Sequence, residues 1–376
     1  MILTIFFLVL LLGVVFIAQK FLFRRFWDKN LDVRIEFDRD YVFCGEDANL
    51  LETIVNNKYL PLPVLEVGFD MSRALAFREE DNSTVSDMTY RRDIFTASVK
   101  QRITRTLPFR ARKRGYYRIA STTVTSHDFL MQDKLVTHMP QTTAFFVLPA
   151  RLPVEQIRIP YSRIMGMLVS RRRVYDDPFE FAGIRDYRRT DPMKHINWKA
   201  SARNGSLLVN LHESTLSQQV VLLLDCEGTG SAVTDTLNET SISIAAALAA
   251  RMLQDGISVT ICSNGTDILT GKPLHTGELT GRSTALHMRR QLARLVCKNN
   301  LPPMDGIMRA ELERSGKENN LYVLISKEQK LRLLPTLEAL AGGHEAVWIL
   351  PEDRNMPERH KMTETSKHVE IVRWMV

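Results

Sequence analysis

The stretch that decides the fold is VVLLLDCEGTGSAVTDTLNETSISIAAALAARMLQDGISVTIC, residues 220–262. It opens on five consecutive apolar residues, Val220 to Leu224. A strand wetted on one face alternates apolar and polar side chains, so an unbroken run fits a strand covered on both faces. Residues 240–255 follow with helical periodicity, and Gly256 supplies a stop. Residues 258–262 form a second strand. Further along, the alternation repeats as helix 283–298, strand 321–325, helix 328–341 and strand 346–350. Ser326-Lys327-Glu328-Gln329 reads as a capping box for the last helix. Strands alternating with helices of this length predict a parallel, doubly wound α/β domain over residues 220–376.

Toward the N-terminus the period changes. Val33, Ile35 and Phe37 alternate with Arg34, Glu36 and Asp38, the period-2 pattern of a half-buried strand. Turn signals recur at Cys44-Gly45-Glu46-Asp47, Asn56-Asn57 and the pair Pro61 and Pro63. Strand-like runs at 64–69, 102–109, 116–119, 122–125 and 143–148 predict a β-sandwich-like domain over residues 31–149. Residues 72–98 read as a polar, irregular excursion, and 150–219 as a connecting region. Ahead of these, no charged side chain lies between Met1 and Gln19. Eighteen helical residues span roughly 27 Å, at the short edge for a bilayer core, and Phe21, Leu22 and Phe23 extend the apolar face if Lys20 snorkels. There is neither a basic leader nor a small-x-small cleavage site, so a transmembrane anchor over residues 1–23 is expected rather than a cleaved signal peptide. Lys20, Arg24, Arg25 and Lys29 follow the span and no cation precedes it. The positive-inside rule then puts the N-terminus outside and the following domains in the cytoplasm. The expected fold class is an α+β multidomain chain: transmembrane helix, β-sandwich-like domain, doubly wound α/β domain.

Composition narrows the function classes. At 376 residues, 44% apolar and 25% charged, the chain is not disordered, collagenous or coiled coil. The net charge of +7 favours anionic partners such as a membrane surface or an acidic protein. Lys100 to Arg118 holds eight cations and no acids. Alternation around Ile103 makes this a solvated strand face first and a membrane-apposed one second; nucleic acid is not expected as a partner. Cys44, Cys226, Cys262 and Cys297 are scattered, without the spacing of a zinc site or a disulfide framework, and no cofactor is expected. No GxSxG, GxxxxGK[ST], HExxH or GxGxxG motif is present. His212-Glu213-Ser214 cannot assemble a triad alone, because neighbours in an extended segment face opposite ways. Cys226 reads as a buried structural thiol.

The most unusual segment is GIRDYRRTDPMKHINWKASARNGSLLVN, residues 183–210. Asp191 is a good N-cap, Pro192 suits a first helical position and Gly205 suits the position after a helix end, which predicts a short helix over 192–203. Met193, Ile196 and Ala200 would face inward, with Trp198 a packing anchor. His195, Lys199 and Arg203 recur at i, i+4 and i+8 as a cationic stripe, preceded by Arg185, Arg188 and Arg189. Two readings stand. One is a docking surface for an anionic group or acidic partner; the other is an arginine network pairing with Asp176, Asp177 and Glu180 to join the domains.

These residues also resemble the bacterial and archaeal "domain of unknown function 58" family. The resemblance rests on Gly183, Arg185, Tyr187, Asp191, Ile196, Trp198, Lys199, Ser201, Ala202, Arg203, Leu208 and Val209, and upstream on Arg114-Gly115-Tyr116-Tyr117 and His127-Asp128-Phe129. It implies a membrane-anchored protein with a β domain and a von Willebrand A-like domain. It also implies a MoxR-type AAA+ ATPase as partner and sometimes a transglutaminase-like membrane protein. A von Willebrand A-like domain carries Asp-x-Ser-x-Ser after its first strand, completed into a Mg²⁺ site by a distant Thr and Asp. Here the run is Asp225-Cys226-Glu227-Gly228-Thr229, Thr284 could stand for the Thr, and Ser326 and Lys327 occupy the place of the last Asp. Asp225, Glu227 and Thr229 are therefore a degenerate candidate only, and no metal is expected. The function expected is a non-enzymatic, membrane-anchored interaction or assembly factor working with the ATPase in cell-envelope-related processes. Its docking candidates are Arg185, Tyr187, Asp191, His195, Trp198, Lys199 and Arg203. The alternatives are a metal-dependent adhesion-type binding protein, or a hydrolase with a site around His195, His212 or Cys226.

Overall fold

The computed structural model of the chain describes residues 2–77, 83–85, 88–174, 181–188, 191, 193, 196–212, 219–228, 230–297, 301–315, 320–328, 331–353, 366 and 368–376. They divide into two compact units, Met1–Ala150 and Arg151–Val376.

The first unit begins with α1 (Ile2–Phe26), a helix long and apolar enough to cross a membrane, whose most apolar 18 residues have a mean hydropathy of 2.5. Its last turn belongs to the protein rather than to its surroundings. Phe23 and, just beyond the helix, Trp27 are buried in the core of the unit. The Phe23 ring meets Phe129 edge-on at 5.6 Å. Lys20 Nζ and Arg24 Nε close on Asp133 at 3.1 and 2.8 Å. The Arg24 hydrogen bond first, with Lys20 behind it, holds the Asp133 carboxyl below its ordinary range.

Strands β1 (Leu31–Phe37), β2 (Tyr41–Phe43), β3 (Asp47–Asn56), β4 (Leu62–Ser72), β5 (Leu75–Phe77), β6 (Ser83–Val85), β7 (Met88–Ala97), β8 (Gln101–Ala111), β9 (Gly115–His127) and β10 (Lys134–Leu148) complete the unit. They form a four-stranded sheet, β1-β3-β8-β5, and a six-stranded one, β2-β10-β9-β4-β7-β6. Alternate residues of each, including Ile35, Leu50, Ile54, Val67, Phe109 and Phe145, meet in one core, so the region is sandwich-like. Besides strands the sequence did not mark, such as β3, the structure departs from expectation in two places. Residues 116–119 and 122–125 lie in one continuous strand, β9. Within 72–98, β7 pairs with β4 from Ala97 to Met88, so this polar stretch is a sheet strand and not an excursion. Its polarity misled because Arg91 and Asp93 are buried charges.

Those charges build an inter-sheet cluster. Arg91 Nε donates to Asp93 Oδ2 at 2.6 Å, and Arg105 Nη1 reaches Asp93 Oδ1 at 2.8 Å from the other sheet. Glu52, opposite Arg105 in the β3–β8 ladder, is buried against them. Burial first, and then the neighbouring Asp93 carboxylate, push the Glu52 carboxyl up to about 8.

The second unit contains α2 (Val154–Val174), β11 (Phe181–Asp186), α3 (Trp198–Asn204), β12 (Leu208–His212), β13 (Gln219–Leu224), α4 (Ala232–Gln254), β14 (Ser258–Asp267), β15 (Pro273–His275), α5 (Thr284–Ala293), β16 (Leu295–Val296), α6 (Met304–Ser315), β17 (Leu321–Ile325), α7 (Leu334–Ala341), β18 (Ala346–Glu352) and β19 (Val369–Met375). The main sheet runs β15-β14-β13-β17-β18-β19, with β16 also paired to β14. The pairs from β14 through β19 are parallel, and β15 and β16 are antiparallel to β14. The apolar run of β13 shows why the sheet is covered twice. Val220, Leu222 and Leu224 pack with side chains of α2 and α4, whereas Val221 and Leu223 pack with Met304 and Met308 of α6 and Leu337 and Leu340 of α7.

Several boundaries move. The segment read as a connector carries α2, whose Ile157, Ile164, Met167 and Leu168 enter the core. Pro160 sits inside that helix and its tail is a run of arginines, and both hide the periodicity. Helix α4 begins at Ala232, eight residues before residue 240, because Ser231 and Thr234 form a capping box. The helix expected over 283–298 ends at Ala293. The helix expected from residue 328 starts at Leu334. α6 and β19 were not anticipated.

The Glu52 environment fixes a sign. A carboxyl raised in the folded state contributes stability below its unfolded value, near 4.3, and loses it as pH climbs toward 8. Raising the pH from 5 to 8 lowers the stability of the wild type by roughly 3 kcal/mol more than that of Glu52→Gln. Denaturant titration of the full chain at the two pH values measures the difference; parallel curves for the two proteins would refute it.

Candidate functional site

Two places gather functional side chains, both in the second unit. The first is the 183–210 segment, which folds as a hairpin enclosing a short helix. β11 and β12 pair antiparallel from Asp186↔Leu208 to Phe181↔His212, with an irregularity near Gly183. Between them α3 starts at Asn197, whose Oδ1 accepts from Ala200 N at 2.9 Å and whose Nδ2 donates to Asn210 Oδ1 at 2.7 Å. Gly205 ends the helix as expected, at φ 70°, where a side chain would be strained. Ser201 Oγ accepts from Leu208 N at 2.8 Å, tying the helix to β12.

Asp191 is not the helix N-cap. It accepts a forked pair of bonds from Arg185, Nη1 to Oδ2 at 2.6 Å and Nη2 to Oδ1 at 2.8 Å, and another from Arg188 N at 2.8 Å. The Arg185 guanidinium, and then the Arg188 amide, bring its carboxyl down to about 2. With the helix starting at residue 198 rather than 192, the inward face shifts. Ile196 is buried in a bridge to Val209, while Met193 is 68% exposed. Trp198 is no packing anchor: it is 62% exposed. Lys199 and Arg203 are exposed on α3, and Tyr187 is half-buried with its N–H on Leu207 O. Ile184 and Leu207 are also open to solvent. His195, Arg189, Asp176, Asp177 and Glu180 lie outside the described residues, and so does the arginine network drawn through those acids.

The second place is at the carboxyl ends of the central strands. The chain runs from β13 outward through β14 to β15, then crosses back to β17 on the other side, so β13 and β17 flank a topological switch point, where open α/β sheets characteristically bind ligands. Asp225, just after β13, is buried. Its Oδ2 accepts from Ser326 Oγ at 2.6 Å, and its Oδ1 from Glu227 N at 2.8 Å and Asn264 Nδ2 at 3.3 Å. Asn264 Oδ1 in turn accepts from Cys226 N at 2.8 Å. Lys327 Nζ donates to Glu227 O and, at 2.5 Å, to Asn238 Oδ1. The Glu227 carboxylate points elsewhere and accepts from Met304 N at the start of α6, at 2.7 Å. The Thr284 hydroxyl is held by Gly281 O at its own helix start, and Thr229 lies outside the described residues. This is a poor fit for a hard divalent ion: a carbonyl oxygen and an amide oxygen that could ligate it are already taken by an ammonium, and one carboxylate is turned away. The Cys226 thiol, fully buried, is pushed up by its hydrogen bond with Cys297 and by burial, the opposite of an activated nucleophile.

Asn238 and Asn264 were not singled out from the sequence, and Ser326 was read there only as a helix cap standing where a metal-site Asp would be. Their signal was there, as polar residues interrupting apolar segments at a helix start and at two strand ends. Removing the ammonium should cost about 1–3 kcal/mol, since it strands buried oxygens. Lys327→Met therefore lowers the urea midpoint of the full chain, and added Mg²⁺ does not restore it; full restoration by Mg²⁺ would reverse the assignment of the site as ion-unfit.

Comparison with solved structures gives only faint likenesses. The CARDB domain of a Pyrococcus furiosus protein is 14% identical over 31% of this chain and 94% of its own length, at a TM-score of 0.19. A non-cellulosomal cohesin of Archaeoglobus fulgidus is 12% identical over 31% of this chain and 91% of its own, at 0.21. A type II cohesin domain of Acetivibrio cellulolyticus is 10% identical over 31% and 95%, at 0.22. Scores this low bear on neither fold nor function. No curated protein matches the sequence. A family model does, over residues 183–371, a span that starts in the hairpin module and runs through the switch-point residues into β19. The chain belongs to the family described as "protein of unknown function DUF58".

Proposed function

We propose that this chain is a non-enzymatic, membrane-anchored interaction or assembly factor that works with a MoxR-type AAA+ ATPase in cell-envelope-related processes. The observation that carries the reading is the exposed face of the hairpin module. Trp198, Met193, Ile184 and Leu207 are all solvent-exposed large apolar residues, and Lys199 and Arg203 are exposed on α3. An aromatic anchor with flanking cations on a hydrogen-bonded frame suits an acidic protein surface with an apolar pocket. The α/β unit is von Willebrand A-like in this reading. The antiparallel edge strand β15 and the order β15-β14-β13-β17-β18-β19 support it. α1 crosses the membrane with its N-terminus outside and the following domains cytoplasmic, in keeping with cations after the span and none before it. A transglutaminase-like membrane protein is a further partner. The metal-dependent alternative draws no support from Asp225 and Glu227, given where Lys327 sits.

The test is mild-detergent purification of the full-length chain read by mass spectrometry, with ATP turnover blocked. A AAA+ ATPase is recovered with the wild type and falls at least tenfold with Trp198→Ala, a hot-spot-sized loss. Arg203→Ala gives a smaller, salt-dependent loss. Circular dichroism confirms that both variants are folded. Absence of any ATPase from the wild-type eluate, or equal recovery with Trp198→Ala, rejects the proposal.

A further inference from the structure

We propose that Cys262, His275 and Glu311 form a zinc-binding site, a feature independent of the docking face. Residues 262, 275 and 311 have no metal-site spacing in sequence, and the fold brings them together. Cys262 on β14 and His275 on β15 are direct cross-strand partners in the antiparallel ladder, so their side chains leave the sheet on the same face. α6 packs on that face and contributes Glu311. The potential ligand atoms of all three lie within 4.8 Å of one another. Cys262 Sγ is 3.8 Å from Glu311 Oε2, and His275 Nε2 is also 3.8 Å from it.

Those distances and the donor types suit zinc. Zinc binds thiolate sulfur at about 2.3 Å, imidazole nitrogen at about 2.0–2.1 Å and carboxylate oxygen at about 2.0–2.2 Å. A tetrahedron with those bonds has ligand–ligand edges of about 3.4–3.6 Å, so the two edges to Glu311 need to contract by only a few tenths of an ångström and the Cys262–His275 edge, no longer than 4.8 Å, by about 1.2 Å at most. The mixed sulfur, nitrogen and oxygen set suits zinc and excludes magnesium and calcium, which take oxygen ligands. Charge agrees: a thiolate and a carboxylate together neutralise Zn²⁺, which lowers the penalty of holding an ion at a buried place. Cys262 and Glu311 are buried, whereas the His275 side chain is 37% exposed, so the fourth position faces solvent and takes water. Arg314 Nη1 donates to Glu311 Oε2 at 3.3 Å and orients the carboxylate from outside the triad. His275 Nδ1 accepts from Gly277 N at 3.1 Å. Ligation through Nε2 moves the ring proton to Nδ1 and releases this amide, which lies at the exposed end of the sheet where water can meet it.

The competing account is that Glu311 is a buried acid satisfied by Arg314 and His275, with the Cys262 thiol merely packed against it. The experiment uses the full-length chain in detergent, without a polyhistidine tag, titrated with Zn²⁺ against a chromophoric chelator. One equivalent binds, and His275→Ala, a change at an exposed side chain, weakens binding at least tenfold with the melting temperature of the metal-free protein unchanged. Co²⁺ in place of Zn²⁺ gives a thiolate charge-transfer band that Cys262→Ser abolishes. If Cys262→Ser does not fold, the band in the wild type together with the His275→Ala titration carries the test. No stoichiometric binding by the wild type overturns the site. So does equal affinity in His275→Ala, or a Co²⁺ spectrum without a thiolate band.

Discussion

The buried carboxylate of Asp225 is the constraint on which the α/β unit turns. It sits where β13 ends, and it gathers the Ser326 hydroxyl that follows β17, the Asn264 amide of β14 and the Glu227 amide of its own loop. Two parallel strands, β13 and β17, therefore end at this carboxylate, and β14 reaches it from within through Asn264. An ionised group at such a place is costly unless its oxygens are met, and here each is. The Ser326 hydroxyl donates to Asp225 while accepting from the Glu328 amide at 3.1 Å, and α7 begins further on, at Leu334, with Pro335 in its first turn. Lys327, the next residue, delivers its ammonium to the carbonyl of Glu227 and to Asn238 on α4, so the same loop pins a helix to the strand ends.

Much of this was legible in the sequence, and the failures share a cause. The unbroken apolar run of β13 announced a doubly covered strand, and the alternation in β1 announced a half-covered one. Both patterns are long-lived signals because burial sets them directly. β7 was invisible because its inward positions hold Arg91 and Asp93, which pay for their burial by pairing, and a pattern of apolarity cannot register a buried ion pair. α2 was invisible because its buried residues are spread over three turns between arginines whose long stems suit a helix edge. The zinc triad is illegible for a different reason: its members are cross-strand and cross-layer neighbours, and only the sheet register brings residue 275 opposite residue 262.

The 183–210 segment separates into a frame and a face. Arg185, Asp191, Asn197, Ser201 and Gly205 spend their polar groups on one another and on local backbone, which closes a hairpin around a seven-residue helix. A helix so short has little stability of its own, and its caps and strand contacts hold it. Trp198, Lys199 and Arg203 take no part in that frame and project outward. Sequence reading took the aromatic as internal because aromatics usually are; the displaced helix start reverses its direction.

The junction between α1 and the β-sandwich has a mechanical meaning. Phe23 and Trp27 are embedded in the sandwich core while Lys20 and Arg24 grip Asp133, so no slack hinge separates the apolar helix from the first folded unit. Helix and sandwich behave as a mast fixed to its hull. In the proposed membrane-anchored state, a tilt imposed on the helix would pass to the sandwich, and the height of that unit above the lipid would be set by the protein rather than by a wandering tether.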